Sequence, residues 1–177
     1  MTSLTRRTAA GLIVATVMTP LAAIAASPPK KMDVIELLEA EHRAAETLMN
    51  RILASGDAAE RERLLRQLVN ALTIHNANEE NIVYPAIGEA ANRLSDATLL
   101  YHQQDEAKMA IWGLMGLPKN GSDFTTRFRE LRTAILAHIR QEEKVDFPAL
   151  RAALGSRIHE LDVASSRLRA HWVADPV

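Results

Sequence analysis

The chain has 177 residues, 47% of them hydrophobic, and a formal net charge of -1, enough for a single folded core. It contains no cysteine, which excludes disulfides, thiolate metal sites and cysteine nucleophiles, so any bound metal is held by nitrogen and oxygen. Acidic and basic side chains are interspersed and no basic tract marks a nucleic-acid surface.

Residues 1–26 read as an export signal. Arg6 and Arg7 form a basic start, Thr8 to Ala26 carries no charge, and Ala23-Ile24-Ala25 is a small-x-small cleavage site. The adjacent arginines suit both the general secretory and the twin-arginine route. Either predicts a periplasmic or secreted mature chain with no membrane contact after cleavage. Residues 27–32 form a linker that Pro28 and Pro29 keep extended.

A bundle domain is predicted over residues 33–154. Asp33 caps helix one, in which Val34, Leu37, Leu38, Glu41, His42, Ala45, Leu48, Met49, Ile52 and Leu53 recur at spacings of three and four. Ser55-Gly56-Asp57 ends it and caps helix two, with Leu64, Leu65, Leu68 and Leu72 inward until Pro85 kinks or ends the helix. Ser95 caps helix three, with Leu99, His102, Glu106, Met109, Ile111 and Met115 inward; Met49, Met109 and Met115 read as core filler. After the break at Gly116–Gly121, Ser122 or Asp123 caps helix four, which turns Phe128, Leu131, Ile135 and Val145 inward. Residues 155–177 form a shorter fifth helix and tail, opened by Gly155-Ser156, with Leu168 and Trp172 packed on the bundle. No segment alternates with period two, so the class is all-α: an antiparallel four-helix bundle with a short C-terminal fifth helix.

One pattern is written twice. His75, Glu79 and Glu80 before Tyr84-Pro85 return as His138, Glu142 and Glu143 before Phe147-Pro148. Positions i and i+4 share a helix face, so each copy aims an imidazole and a carboxylate at one volume. Four of the six histidines, His42, His75, His102 and His138, fall one on each predicted bundle helix and on its apolar stripe. Burying four imidazoles and two carboxylates together is costly unless cations neutralise them. Two six-coordinate ions bridged by two carboxylates and an oxo or hydroxo group, with four terminal imidazoles, would each keep one open position. Nitrogen and oxygen donors in this number suit iron first and manganese second. Glu46 and Glu106 stand four residues after His42 and His102 and are either additional ligands or acids that hydrogen-bond ligand imidazoles. Tyr84 and Phe147 read as packing residues at the helix ends.

The chain resembles the hemerythrin-like HHE cation-binding domain over about residues 33–151, on the paired HxxxEE…(Tyr/Phe)-Pro motifs, Glu41-His42 and Tyr101-His102. The resemblance implies a non-haem di-iron centre with His42, His75, His102 and His138 as terminal ligands and Glu79 and Glu142 as bridges. Oxygen-carrying members place a further histidine where Glu106 stands, so reversible oxygen carriage is less strongly implied. Three functions follow as expectations: a di-iron protein binding oxygen, nitric oxide or iron itself in the periplasm; a redox enzyme acting on peroxide or nitric oxide or repairing iron centres; or a metal-free helical interaction module. No protein partner is identified by the sequence.

Overall fold

A computed structural model describes residues 32–174. The expected signal segment, its cleavage site and residues 27–31 of the linker lie outside the described residues.

Helix α1 (Val34–Ala54) begins where the sequence places it: the Asp33 carboxylate accepts from the Glu36 amide at 2.9 Å and Glu36 returns a bond to the Asp33 N–H at 3.0 Å, closing a capping box. Asp57 caps α2 (Ala58–Asn78) in the same way, accepting from Glu60 N–H at 2.7 Å. Helix α4 (Leu94–Met115) starts one residue before the predicted cap, with Arg93 rather than Ser95 at the boundary, and α5 (Ser122–Gln141) is preceded by Gly121. Between them, the buried Lys119 ammonium donates to the carbonyls of Leu114, Met115 and Leu117 at 3.1, 3.0 and 2.7 Å. A cation at the helix C-terminus thus collects carbonyls that have no partner further along the helix.

Proline does not end the helices bearing the repeat. Glu79–Val83 and Glu142–Asp146 are single π-helical turns that run straight into α3 (Tyr84–Glu89) and α6 (Phe147–Leu154). Pro85 and Pro148 lack the N–H that an α-helical ladder would use, and the wider bonds Tyr84 N–H to Glu79 C=O and Phe147 N–H to Glu142 C=O bypass them. Asn81 donates its side-chain amide to Ala77 C=O at 2.7 Å, which adds a partner inside the widened turn. The extra residue rotates everything after it. Val145, predicted inward, is 38% exposed, while Phe147 and Leu150 face the core.

Helix α6 stops at Gly155, whose φ of 54° is in the left-handed region that glycine enters without strain. A 3-10 turn, Gly155–Arg157, leads into α7 (Ile158–Ala174). Helix α7 packs on α1, α2 and the first π turn. The Leu168 side chain is half-buried, whereas Trp172 lies outside the residues whose side chains are described. Among the described residues there is no strand, and the architecture is all-α.

Two apolar clusters form the core. One joins Met49, Ile52, Leu64, Leu68, Phe124 and Phe128, and the other Ile35, Leu38, Val83, Ile87, Leu100 and Leu150. Along α1 and α4 the apolar residues of the two clusters are separated by His42 and Gln104, and Glu142 lies between the first cluster's residues on α5 and the second's on α6. A polar layer therefore crosses the bundle between two hydrophobic halves.

Candidate metal centre

Five of the six expected ligands meet in that layer. Helix α1 supplies His42, α2 supplies His75, α5 supplies His138, and the two π turns begin at Glu79 and Glu142. His42 Nε2 lies 3.2 Å from Glu142 Oε2 and 3.6 Å from Glu79 Oε1, and His75 Nε2 lies 3.1 Å from the same Glu79 oxygen. On the far side, His138 Nε2 is 3.3 Å from Glu142 Oε1. Both carboxylates are fully buried and both present one oxygen to each side.

His102 does not join them. It is exposed on α4, and the inward positions there are Ala97, Leu100, Gln104, Ala107, Ile111 and Leu114, an unbroken three-four spacing. Leu99, Met109 and Met115, predicted inward with it, are 46%, 68% and 43% exposed. Helix α4 carries apolar residues around most of its circumference, so two stripes compete in the sequence, and the one that packs keeps the three-four spacing throughout. Glu106 is exposed on the same helix, and Glu46 faces Arg132 at 3.7 Å with its side chain 47% exposed. Neither reaches the cluster.

In place of His102 the structure brings Gln104 and Tyr84. The Tyr84 hydroxyl is 2.8 Å from Glu142 Oε1, 3.2 Å from Glu79 Oε2 and 3.1 Å from His138 Nε2, and it accepts from Gln104 Nε2 at 2.7 Å. Gln104 Nε2 also donates to Glu79 Oε2. The Tyr84 reading as a packing residue is thus corrected: the ring packs, but its oxygen stands among the ligand atoms. Phe147, at the equivalent place in the repeat, does pack, lying parallel to His42 with ring centroids 6.0 Å apart. That tyrosine and phenylalanine occupy equivalent places was the available signal, because only one of them carries an oxygen donor.

Each imidazole is steered from behind. His42 Nδ1 is 3.0 Å from Glu143, His138 Nδ1 is 2.8 Å from Gln103 Oε1, and His75 Nδ1 is 3.1 Å from Glu41. Glu41 is itself gripped by Arg169 of α7 through two bonds of 2.7 and 2.9 Å. Such partners fix the ring orientation and leave Nε2 aimed at the centre.

The buried charges shift one another's pKa values. Burial opposes a charge on His42, but Glu142 and Glu79 outweigh it and raise its pKa to about 10. Burial likewise opposes charge on His75, and Glu79 and Glu41 raise it to about 9. Glu79 is held below the usual carboxylate range because His75 and His42 overcome its burial. Tyr84 is pushed up by burial and by Glu79 and Glu142, which keeps its phenol protonated.

These residues fit a cation pair. His42 Nε2, Glu79 Oε1 and Glu142 Oε2 are buried without a hydrogen-bond partner, and such atoms are costly unless something satisfies them. Ligand atoms of His42, His75 and Glu79 lie close enough together to hold one ion, and those of Glu79, His138 and Glu142 to hold another. The two positions differ: the first has two imidazoles, the second one imidazole with the Tyr84 oxygen beside it.

A helical bundle with a buried histidine–carboxylate cluster at its waist defines a cation-binding class. The sequence model of the Hemerythrin HHE cation binding domain matches residues 33–150. The chain belongs to that family, and with this cluster it is a hemerythrin-like metal-binding protein. A crystal structure of a Hemerythrin HHE cation binding domain-containing protein from Mycobacterium kansasii shares the fold, with a TM-score of 0.70, 20% identity, and coverage of 81% of this chain and 90% of that one. A DNA nickase of Nostoc sp. is 26% identical over 130 residues, or 73% of this chain. The match spans only 37% of that relative's length.

Proposed function

We propose that the chain holds a di-iron centre that takes up oxygen or nitric oxide, in the periplasm. The observation that carries this reading is the buried set His42 Nε2, Glu79 Oε1 and Glu142 Oε2, which face one another without a formed hydrogen bond and are flanked by His75 and His138. Imidazole nitrogen and carboxylate oxygen in this ratio suit iron. Iron held there would supply one-electron redox chemistry and open positions for a small ligand. The chain's own part is to orient it: Glu143, Glu41 and Gln103 hold the three imidazoles, Glu79 and Glu142 span the two positions, and Tyr84 keeps a proton near Glu142 Oε1. The periplasmic location is supported by the basic start, uncharged run and small-x-small site of the first 26 residues.

The second reading is redox turnover of peroxide or nitric oxide at the same two positions, where the Tyr84 hydroxyl lies 2.8 Å from Glu142 Oε1. The DNA-nicking activity of the Nostoc relative is not carried over, because most of that protein lies beyond the match.

Reconstitution with ferrous iron under exclusion of air, followed by rapid mixing with oxygen, nitric oxide or peroxide, tests the proposal. Optical changes that reverse when oxygen or nitric oxide is removed are expected. Consumption of the ligand over many turnovers would establish the second reading, and no iron uptake would overturn both.

A further inference from the structure

A cavity of about 610 Å³ opens beside the centre, between α4 and α5. Its inner end is formed by Gln103, Gln104, Glu79 and His138, and its walls by Leu72, Ala107, Ile111, Leu131 and Ile135. At the surface, Ala110 and Gly113 of α4 and Ala134 and Ala137 of α5 line it. These small side chains leave the gap between the two helices open. On α4 the lining runs from Gln103 to Gly113, about 15 Å of helix at 1.5 Å per residue. A diatomic molecule needs only a narrow path, whereas organic ligands occupy pockets of roughly 300–1,000 Å³ with apolar walls and a few placed polar groups.

The polar group at the inner end selects the head of the molecule. Gln104 is only 3% exposed, and its Nε2 is committed to Tyr84 and Glu79. Its Oε1 is buried without any hydrogen-bond partner. An amide oxygen accepts only from a donor, so an anionic carboxylate is disfavoured there, and a cationic amine would face the iron pair at close range. A neutral O–H satisfies both constraints.

We propose that this cavity binds a neutral organic molecule with an apolar body and a hydroxyl head, an alkylphenol or alcohol in class, with the hydroxyl on Gln104 Oε1 and the body between α4 and α5. This deepens the proposed function by naming the class of molecule that reaches the centre. It rests on that reading for the choice of a neutral head and for the role of the bound molecule, and not for the pocket itself, which the chain forms.

Calorimetric titration of the full chain, both metal-free and iron-loaded, with 4-propylphenol and with propylbenzene tests it. Propylphenol is expected to bind both forms, and propylbenzene at least about fivefold more weakly, for want of the hydrogen bond. Ala107→Trp, which fills the cavity, should abolish binding while helicity is retained, and Ala134→Trp carries the same test should Ala107→Trp fail to fold. No propylphenol binding by the wild type, equal affinity for the two ligands, or undiminished binding in the folded tryptophan variant overturns the inference. Propylphenol binding by a chain that takes up no iron would leave the pocket standing and remove the di-iron reading instead.

Discussion

Tyr84 and His102 exchange the roles that their side chains suggest. Histidine is the stronger ligand type, yet His102 is exposed on α4, while the phenol oxygen of Tyr84 touches both buried carboxylates, His138 and Gln104. Tyr84→Phe keeps the packing and deletes that oxygen. The metal-free variant should lose about 1–3 kcal/mol in denaturant unfolding, the cost of leaving buried polar groups without a partner; an unchanged midpoint would show that the hydroxyl is dispensable. His42, His75, His138, Glu79 and Glu142 were legible in the sequence because an imidazole and a carboxylate repeat at helical spacing within apolar stripes. Gln104 was not, although it sits in the unbroken 97, 100, 104, 107, 111, 114 stripe, because glutamine is no ligand type and a histidine two residues away drew the register. What the residues alone leave undetermined is which of two apolar faces of α4 packs.

At the scale of elements, the centre depends on two π turns and on α7. Each π turn adds a residue after the glutamate, so that Glu79 and Tyr84 point to one site and Phe147 packs on His42. Proline in the motif signals a helix break in the sequence. The widened turn that absorbs it depends on which backbone bonds form and was not legible. Helix α7 reaches the centre through one relay, Arg169 to Glu41 to His75. Arg169→Met should therefore weaken the first cation position about 10- to 100-fold, the usual effect of removing a group that orients a metal-binding histidine. Equilibrium competition with a chelator of known affinity measures it, and wild-type affinity in the variant would make α7 a packing element only.

Over the whole molecule, a charged layer between two apolar halves makes stability depend on proton count. In the metal-free chain His42 and His75 titrate near 10 and 9, against about 6.5 when unfolded. Their contribution is fully present below pH ~6.5 and is lost as pH rises through 9 and 10. Glu79 is lowered, so its contribution is present above pH ~4.5 and lost as pH falls. The denaturation midpoint of the metal-free chain should thus be highest between about pH 4.5 and 6.5 and fall toward pH 10; a midpoint rising over pH 7–10 would contradict the ion pairing. Cations displace the same protons, so iron affinity should rise over that interval.

Iron bound per chain, measured in the wild type and in His102→Ala after anaerobic reconstitution, tests the arrangement most directly. Two irons in both proteins are expected, because His102 lies outside the cluster. No iron in the wild type, or a loss of iron in His102→Ala, would contradict a centre built from His42, His75, Glu79, Tyr84, His138 and Glu142.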